Sequence, residues 1–340
     1  MIAATRSRAA VKADFGRLEG VQCMRYIAAL GVMLVHLQWK LKQYYDVTMV
    51  PAVSNTAIDL FFIISGFVVA LAVRGQGTTP GHFFARRLLR IYPPYFVLTA
   101  LAWLAFVLRP DQVNSSGGTT NVLASFLLWP GHYKFLIENA WTLPHEFAFY
   151  ALATFALLFR WGRSLVLLGT IALTLGTEVL LGESVSRQFI MADFLTGILA
   201  LQLSVWLAGR GVRIVQPVAL LLPIGLAVIV YLSMLLPLTT SRLLGVNLLW
   251  CVCLIVVTLM DVGGCRNWVS IRLAALGDRS YSIYLVHPFT FKLMFMLLPS
   301  GEHGPLYLTV VVLAAIVIST VAGALFYRLV EVPLRALMPR

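Results

Sequence analysis

Residues 21–37 read VQCMRYIAALGVMLVHL and form the first strongly apolar stretch of the chain. A stretch of this length can form a membrane-spanning α-helix. It nevertheless contains Arg25 and His36, and ionisable groups inside a bilayer are costly and usually functional. Eleven residues of α-helix return nearly to the starting direction, so both side chains lie on one face, about 16 Å apart along the axis. The sequence therefore predicts a membrane helix with a cation near one surface and a potential proton acceptor near the other.

Apolar segments of similar length recur along the whole chain of 340 residues, which is 60% hydrophobic and 12% charged and has a mean hydropathy of +0.87. This composition is typical of an all-α, polytopic integral membrane protein. Because the first segment carries two ionisable residues and many more segments follow it, we interpret it as a retained helix rather than a cleaved signal. About ten transmembrane helices are predicted, at residues 19–38, 56–73, 92–108, 141–159, 165–181, 189–207, 216–236, 243–261, 278–298 and 306–327.

The chain has 26 basic and 14 acidic residues, an excess that in a soluble protein would suggest a nucleic-acid partner. Its distribution indicates membrane orientation instead. With ten spans and an inside N-terminus, 17 basic residues lie on the cytoplasmic side and 6 on the outer side. Both termini are therefore predicted to be cytoplasmic, as tails 1–18 and 336–340 on either side of a single transmembrane domain, 19–335. Membrane lipid is the expected environment, and no nucleic-acid partner is expected.

The four cysteines are predicted to pack as small apolar side chains rather than to bind a metal or form a disulfide. Three fall inside predicted helices, and a Cys-x-Cys pair on a helix does not present both thiols to one metal ion. No metal site is therefore expected. These residues are Cys23, Cys251, Cys253 and Cys265.

His36 is a candidate general base, since a neutral imidazole can accept a proton from an alcohol. The simpler interpretation is a hydrogen bond between helices. Asp59 begins the second predicted span at a similar depth, where it would orient the imidazole or merely favour the helix N-terminus. Arg25 would hold a phosphate or carboxylate, or extend towards the cytoplasmic surface.

A basic cluster, Arg86, Arg87 and Arg90, follows a glycine-rich turn on the predicted cytoplasmic side. Such a cluster is the usual sign of an inside loop. Guanidinium groups also match phosphate bidentately, so the cluster is a candidate docking site for a phosphorylated ligand. No glycine-rich phosphate loop accompanies it, which argues against a nucleoside triphosphatase.

The long predicted outer interval 109–140 would lie on the bilayer surface or fold into a cavity as a lid. It leads into Trp141, an interfacial anchor or a stacking platform for a sugar ring, and into Glu146 about one turn inside an apolar run. An unpaired carboxylate there would be costly, so a partner for Glu146 is expected.

The ninth predicted span contains Tyr284 and His287, three residues apart on one helix face, with Tyr281 one turn further towards the cytoplasm. The tenth span ends with Arg328 and Glu331, which we expect to form an ion pair at the cytoplasmic boundary.

Together these segments resemble the membrane acyltransferase three family, over residues 20–335, and most closely its exopolysaccharide O-acetyltransferase branch. One departure is that Glu146 is followed by Phe147, whereas some relatives carry two adjacent acids there. The matching segments are Arg25 to His36 with the family's Arg-x10-His helix, 59–67 with Phe-Phe-x-Ile-Ser-Gly-Phe, 87–90 with Arg-x-x-Arg, 141–146 with Trp-Ser/Thr-Leu-x-x-Glu, 280–287 with Ser-Tyr-x-x-Tyr-x-x-His, and 331–333 with Glu-x-Pro.

The resemblance implies transfer of an acyl group, most often acetyl, from cytoplasmic acyl-CoA to a hydroxyl of a lipid-linked saccharide or exopolysaccharide at the bacterial inner membrane. A partner in the polysaccharide synthesis machinery is compatible with it. A proton-coupled transporter of an anionic solute, with His36, Glu146 and His287 relaying protons, remains the alternative. The implied roles are: His36 as base or nucleophile with Asp59, Glu146 and Arg25 in the catalytic site; Arg86, Arg87, Arg90, Tyr281, Tyr284 and His287 for the acetyl-CoA donor; and Trp141 for the acceptor.

Overall fold

The computed structural model is helical, as the sequence predicts, and in the part of the chain it describes the β-structure amounts to one isolated bridge between Thr120 and Lys134. The described residues are 15–48, 56–75, 78–110, 113, 119–131, 133–159, 162–180, 190–214 and 240–336.

Twelve α-helices are described, together with a 3-10 helix at Glu138–Thr142 and a π-helical turn at Tyr327–Glu331. The α-helices are α1 (Glu19–Tyr45), α2 (Thr56–Arg74), α3 (Pro80–Leu108), α4 (Val122–Leu127), α5 (Leu143–Leu157), α6 (Arg163–Leu180), α7 (Ile190–Gly209), α8 (Thr240–Val262), α9 (Trp268–Gly277), α10 (Ser280–Leu297), α11 (Pro305–Phe326) and α12 (Val332–Ala336).

Six segments of the described chain are long and apolar enough to cross a membrane, as expected of a polytopic membrane protein. They are α1, α2, α3, α7, the 245–262 part of α8, and α11 with its continuation to residue 336. The predicted span 216–236 lies outside the described residues. The total of ten spans and the cytoplasmic location of both termini stay predictions.

Helix α3 begins twelve residues before the span predicted at 92–108. The Thr79 side chain caps it by accepting a hydrogen bond from the backbone N–H of His82, and Pro80 suits a first turn, where no N–H partner is needed. The basic cluster at 86–90 is therefore part of the helix that crosses the membrane, with Pro93 inside the same helix.

The first compact unit comprises the described residues within 1–35, 49–76 and 162–278, and α7 packs there against α2, α6 and α8. The approach of α2 and α7 is among the closest backbone contacts of this unit. A Cβ atom at Gly197 would lie 1.9 Å from the Ile63 carbonyl oxygen, and one at Gly66 would lie 2.2 Å from that of Phe194. Only glycine permits such backbone contact between membrane helices.

The second compact unit comprises the described residues within 36–48, 77–161 and 279–340. Helix α10 packs on α11, where Gly323 lies against Ile283, and α3 packs on α5. Buried Glu331 accepts a hydrogen bond from Ser282 and forms an ion pair with Arg335.

The expected ion pair between Arg328 and Glu331 was wrong, since among the described residues Glu331 pairs with Arg335 instead. The π-helical turn over Tyr327–Glu331 is the reason: its wider turn changes the angular spacing between neighbouring positions. Arg335, four residues further on, then reaches the carboxylate.

Candidate active site

His36 lies in the second half of α1, in the second unit, and contacts two other rings. Its ring stacks on Trp39 with centroids 5.0 Å apart, and it meets the ring of His287 edge-on, also at 5.0 Å. His287 lies on α10 and is fully buried. Two histidines that the sequence places more than 200 residues apart are therefore neighbours in the structure.

A cavity of about 690 Å³ in the second unit has His36 in its wall. Spaces of this size hold small-molecule ligands, typically with an apolar lining and a few polar groups. Trp39, which is 53% exposed, also lines it, as do apolar residues of α3 and α10. The polar lining residues that the structure describes are His36, Lys40, Gln43, Arg109, Glu138 and Lys292.

A buried hydrogen-bond network fixes α10 to the 3-10 helix beside this cavity. The Tyr284 hydroxyl donates to the Asn139 carbonyl oxygen at 2.7 Å, and the Asn139 side-chain N–H donates back to the Tyr284 carbonyl. The hydroxyls of Thr142 and Tyr284 are 3.0 Å apart. These bonds hold the segment around Thr142 against the helix turn that carries His287.

Glu146 has the partner that the sequence led us to expect. The Tyr150 hydroxyl donates to its Oε1, one turn along α5. Arg87, on α3, lies over the rings of Phe83 and Tyr150, at 5.4 and 5.6 Å from their centroids. The structure thus brings together two predicted site residues, Arg87 and Glu146, through Tyr150.

The other residues predicted to bind the donor differ in accessibility. Arg86 is exposed and Arg90 is half-buried, both on α3. Tyr281 is buried and its hydroxyl donates to the Ile91 carbonyl oxygen at 2.8 Å, so its donor is already used within the protein. Binding of acyl-CoA by these residues stays a prediction.

Two predicted catalytic residues belong to the first unit. Arg25, on the same continuous helix as His36, donates from Nη1 to the Gln22 Oε1 at 3.3 Å. Asp59 lies in the first turn of α2, and buried Asp193 on α7 accepts a hydrogen bond of 2.6 Å from the Asn247 side chain. Their catalytic roles stay predictions.

Trp141 is half-buried in the 3-10 helix, with its ring edge-on to that of His145, and the described cavity lining includes Trp39 but not Trp141. Sequence reasoning missed Trp39, although its spacing of three from His36 places both on one helix face. It also missed Asn139 and Tyr150. Within the described residues, no group of three His, Cys, Asp or Glu side chains is placed to hold a metal ion.

Comparison with known proteins agrees with the motifs. A family model described as an acyltransferase domain matches residues 18–327, nearly the whole chain. The exopolysaccharide production protein ExoZ of Rhizobium meliloti (strain 1021) is 27% identical over 322 residues, which cover 89% of this chain and 94% of that protein.

Two further relatives are similar to the chain. Acyltransferase MdmB of Streptomyces mycarofaciens is 26% identical over 372 residues, covering 95% of this chain and 93% of that protein. Protein 2 in the picA locus of Rhizobium radiobacter is 30% identical over 187 residues, which cover 48% of this chain and 91% of that protein. No solved structure matches the chain.

Proposed function

Because the chain belongs to the membrane acyltransferase three family, we propose that it transfers an acyl group, most simply acetyl, from acyl-CoA to a hydroxyl of a lipid-linked saccharide or exopolysaccharide. Two relatives support the two halves of this proposal. ExoZ is named for exopolysaccharide production, and MdmB is named as an acyltransferase.

The observation that carries the proposal is the position of His36 in the wall of a cavity large enough for a sugar or an acyl group. Neutral imidazole accepts a proton from a hydroxyl held in hydrogen-bond reach. The hydroxyl oxygen then attacks the thioester carbonyl, a C–O ester bond forms and the C–S bond breaks. The proton on His36 passes to the departing CoA thiolate.

The contacts of His36 suit this task. Stacking on Trp39 and the edge contact with His287 restrict the ring to one orientation. A restricted base needs less reorganisation when the hydroxyl is bound, which lowers the barrier. Tyr284 and Asn139 in turn hold the turn of α10 that carries His287.

The donor enters from the cytoplasmic side in this proposal, with its phosphates at Arg86, Arg87 and Arg90. Arg87 lies over the Tyr150 ring, Arg90 is half-buried and Arg86 is exposed to solvent. Guanidinium groups of this kind can dock a phosphate bidentately. Arg25 and Asp59 are kept in the proposed catalytic set, as a donor-positioning cation and a carboxylate, on the family resemblance alone.

The proposed location is the bacterial inner membrane, with both termini in the cytoplasm. Six described apolar segments and the predicted excess of basic residues on one side support it. In this orientation the basic cluster at the start of α3 faces the cytoplasmic acyl-CoA. The acceptor approaches from the opposite side.

The test is the O-acetyl content of the surface polysaccharide in a deletion strain restored with wild type or with His36→Ala. General-base catalysis contributes about 10²–10⁴-fold, so we expect the variant to restore essentially no acetylation at equal protein level. His82→Gln, a histidine of the same unit outside the described cavity lining, is the matched control and should restore it fully. Full restoration by His36→Ala would remove His36 from the mechanism. Acetylation that is unchanged in the deletion strain itself would remove the proposed substrate.

A further inference from the structure

The short helix α4 lies beside the middle of a membrane-spanning helix, although the sequence predicts its chain interval, 109–140, on the outer side. The Phe126 ring of α4 packs against Phe96 and Trp103 of α3, with centroids 5.4 and 6.5 Å away. Residues 91–108 of α3 contain no charged residue and extend about 27 Å along the helix axis. Phe96 and Trp103 lie about 8 and 18 Å along this run, so α4 is level with its middle.

Two tyrosines of α3 hold the carboxyl end of α4 at this level. The Tyr95 hydroxyl donates to the Ser125 carbonyl oxygen at 2.5 Å, and the Tyr92 hydroxyl donates to the Phe126 carbonyl oxygen at 2.6 Å. The last carbonyls of a helix have no N–H partner within the helix, and at an aqueous surface water can serve them. Here the protein itself supplies the donors.

The amino end of α4 and the turn after the helix are also bonded within the protein. The Asn121 side chain accepts a hydrogen bond of 2.9 Å from the Ala124 N–H, and the Asn121 N–H donates to the Lys134 carbonyl oxygen. After the helix, the Trp129 N–H donates to the Ala124 carbonyl oxygen, and the Trp129 carbonyl accepts from the Tyr133 hydroxyl. Backbone groups inside a bilayer need partners of this kind, because the hydrocarbon layer contains no water.

The outward face of α4 and the turn after it is apolar and exposed. Leu123, Leu127 and Trp129 are 68%, 57% and 66% exposed. Beside them, Phe96 and Trp103 of α3 are 46% and 45% exposed, so the apolar surface continues onto the spanning helix. A large exposed apolar surface marks a contact with a membrane or with another protein. Its depth beside the uncharged run of α3 favours the membrane.

We propose that α4 is a re-entrant helix, which lies within the hydrocarbon layer and contacts lipid acyl chains through Leu123, Leu127 and Trp129. The chain leaves the bilayer at the end of α3, returns to mid-depth at α4 and continues to the 3-10 helix. This arrangement does not depend on the proposed function.

The re-entrant helix is attached to the wall of the cavity beside His36. The Leu136 N–H donates to the buried Ser125 hydroxyl of α4 at 2.9 Å, and Leu136 and Ile137 are in the cavity lining. One side of α4 therefore faces lipid, and its other side supports the segment that lines the cavity.

The test measures the depth of a nitroxide spin label attached at residue 127 by Leu127→Cys. The protein is reconstituted in nanodiscs, with its four native cysteines replaced by alanine. Electron paramagnetic resonance reports collisions of the label with oxygen, which concentrates in hydrocarbon, and with a water-soluble nickel chelate. We expect frequent collisions with oxygen and few with nickel.

Two other labels in the second unit are the matched controls. Leu104→Cys places the label on the uncharged run of α3, and Glu302→Cys places it in the exposed segment after α10. The label at 127 should behave as the label at 104 does. Collisions with nickel as frequent as at 302 would place α4 in water and overturn the proposal. Few collisions with either reagent would show that protein covers this face, which also overturns it.

Trp129 allows a second measurement that needs no cysteine replacement. The difference in fluorescence between wild type and Trp129→Phe is the emission of Trp129. Lipids brominated near the middle of their acyl chains should quench this emission more strongly than lipids brominated near the headgroup. The opposite order, or no quenching by either lipid, would contradict a position at mid-depth.

The yield of folded protein checks the same face by substitution. A carboxylate inside the hydrocarbon layer is costly, so Leu127→Asp should lower the yield severalfold, whereas Leu127→Met should match wild type. Wild-type yields of both variants would show that residue 127 faces water, and the re-entrant position would then be wrong.

Discussion

In the first unit α2 and α7 approach so closely at Gly66 and Gly197 that no side chain fits between them, whereas in the second unit α1, α3 and α10 line a cavity of about 690 Å³. The polar groups differ in the same way. Buried Asp193 of the first unit is paired with Asn247, while His36 and several other ionisable groups of the second unit line an open space.

This difference indicates a division of labour. Dry, close packing in a membrane protein gives stability through many dispersion contacts, and it leaves no volume for substrates. A cavity lacks those contacts, but ionisable groups in its wall can contact a ligand. Variants at the close α2–α7 approach of the first unit should therefore lower the amount of folded protein, and variants around the cavity should lower transfer by protein that remains folded.

Gly197→Val is expected to have the largest effect on the amount and stability of folded protein. The new Cβ would lie 1.9 Å from the Ile63 carbonyl oxygen, and backbone cannot move aside as a flexible side chain can. Inserted groups in a packed core cost about 1–3 kcal/mol, and more where helices must separate. We expect most of the folded protein to be lost, measured as the yield and thermal midpoint of detergent-purified protein.

Gly209→Ala is the control on the same helix, because nothing lies within 4 Å of a Cβ atom built there. It should match wild type in yield and midpoint. A Gly197→Val protein as stable as wild type would mean that α2 and α7 do not cross at these glycines, and the contrast between the two units would be lost.

The second prediction concerns the buried pair of the first unit. Asp193→Leu leaves the Asn247 amide without its acceptor, and Asn247→Leu leaves the Asp193 carboxyl without its donor. Each should cost about 1–3 kcal/mol of stability. The double variant should cost clearly less than the sum, because neither polar group then remains buried alone. Strictly additive losses in a thermal unfolding series would show that the two side chains are not coupled.

The sequence correctly predicted features that depend on residues close together along the chain. The spacing of Arg25 and His36 predicted one helix, and the spacing of Tyr284 and His287 predicted one face of another. The span predicted at 92–108 is shorter than α3, because hydropathy marks only the apolar part of the helix, whereas the cap at Thr79 sets where the helix begins.

The grouping of side chains around the cavity could not be predicted in this way. Lys40, Arg109 and Lys292 are far apart in sequence, and each on its own looks like a cation at a helix end. Their meeting depends on how α1, α3 and α10 pack, which no periodicity encodes. The contact between His36 and His287 is of the same kind, since motifs place each residue on a helix but do not state which helices are neighbours.

Tyr284→Phe is the destabilising variant with the smallest expected effect on stability. It is also the sharpest test of the second unit. The Tyr284 hydroxyl is fully used within the protein, by the Asn139 carbonyl and by Thr142, so we expect it to position α10 rather than to bind the donor. Its removal should cost about 0.5–1.5 kcal/mol, since the neighbouring bonds remain. A small displacement of reacting groups is far more costly to the rate, so kcat for acetyl transfer should fall more than stability does.

Measuring kcat and KM separately distinguishes the two possible roles of Tyr284, positioning the site and contacting the donor. If it positions the site, kcat falls and the KM for acetyl-CoA stays at the wild-type value; if it contacts the donor as the sequence predicted, that KM rises. Tyr307→Phe removes a similar hydroxyl of the second unit that faces Tyr45, and it should leave both constants unchanged. A raised KM in Tyr284→Phe alone would move the donor site into the network around Asn139, and the cavity beside His36 would then have to accommodate the thioester as well as the acceptor.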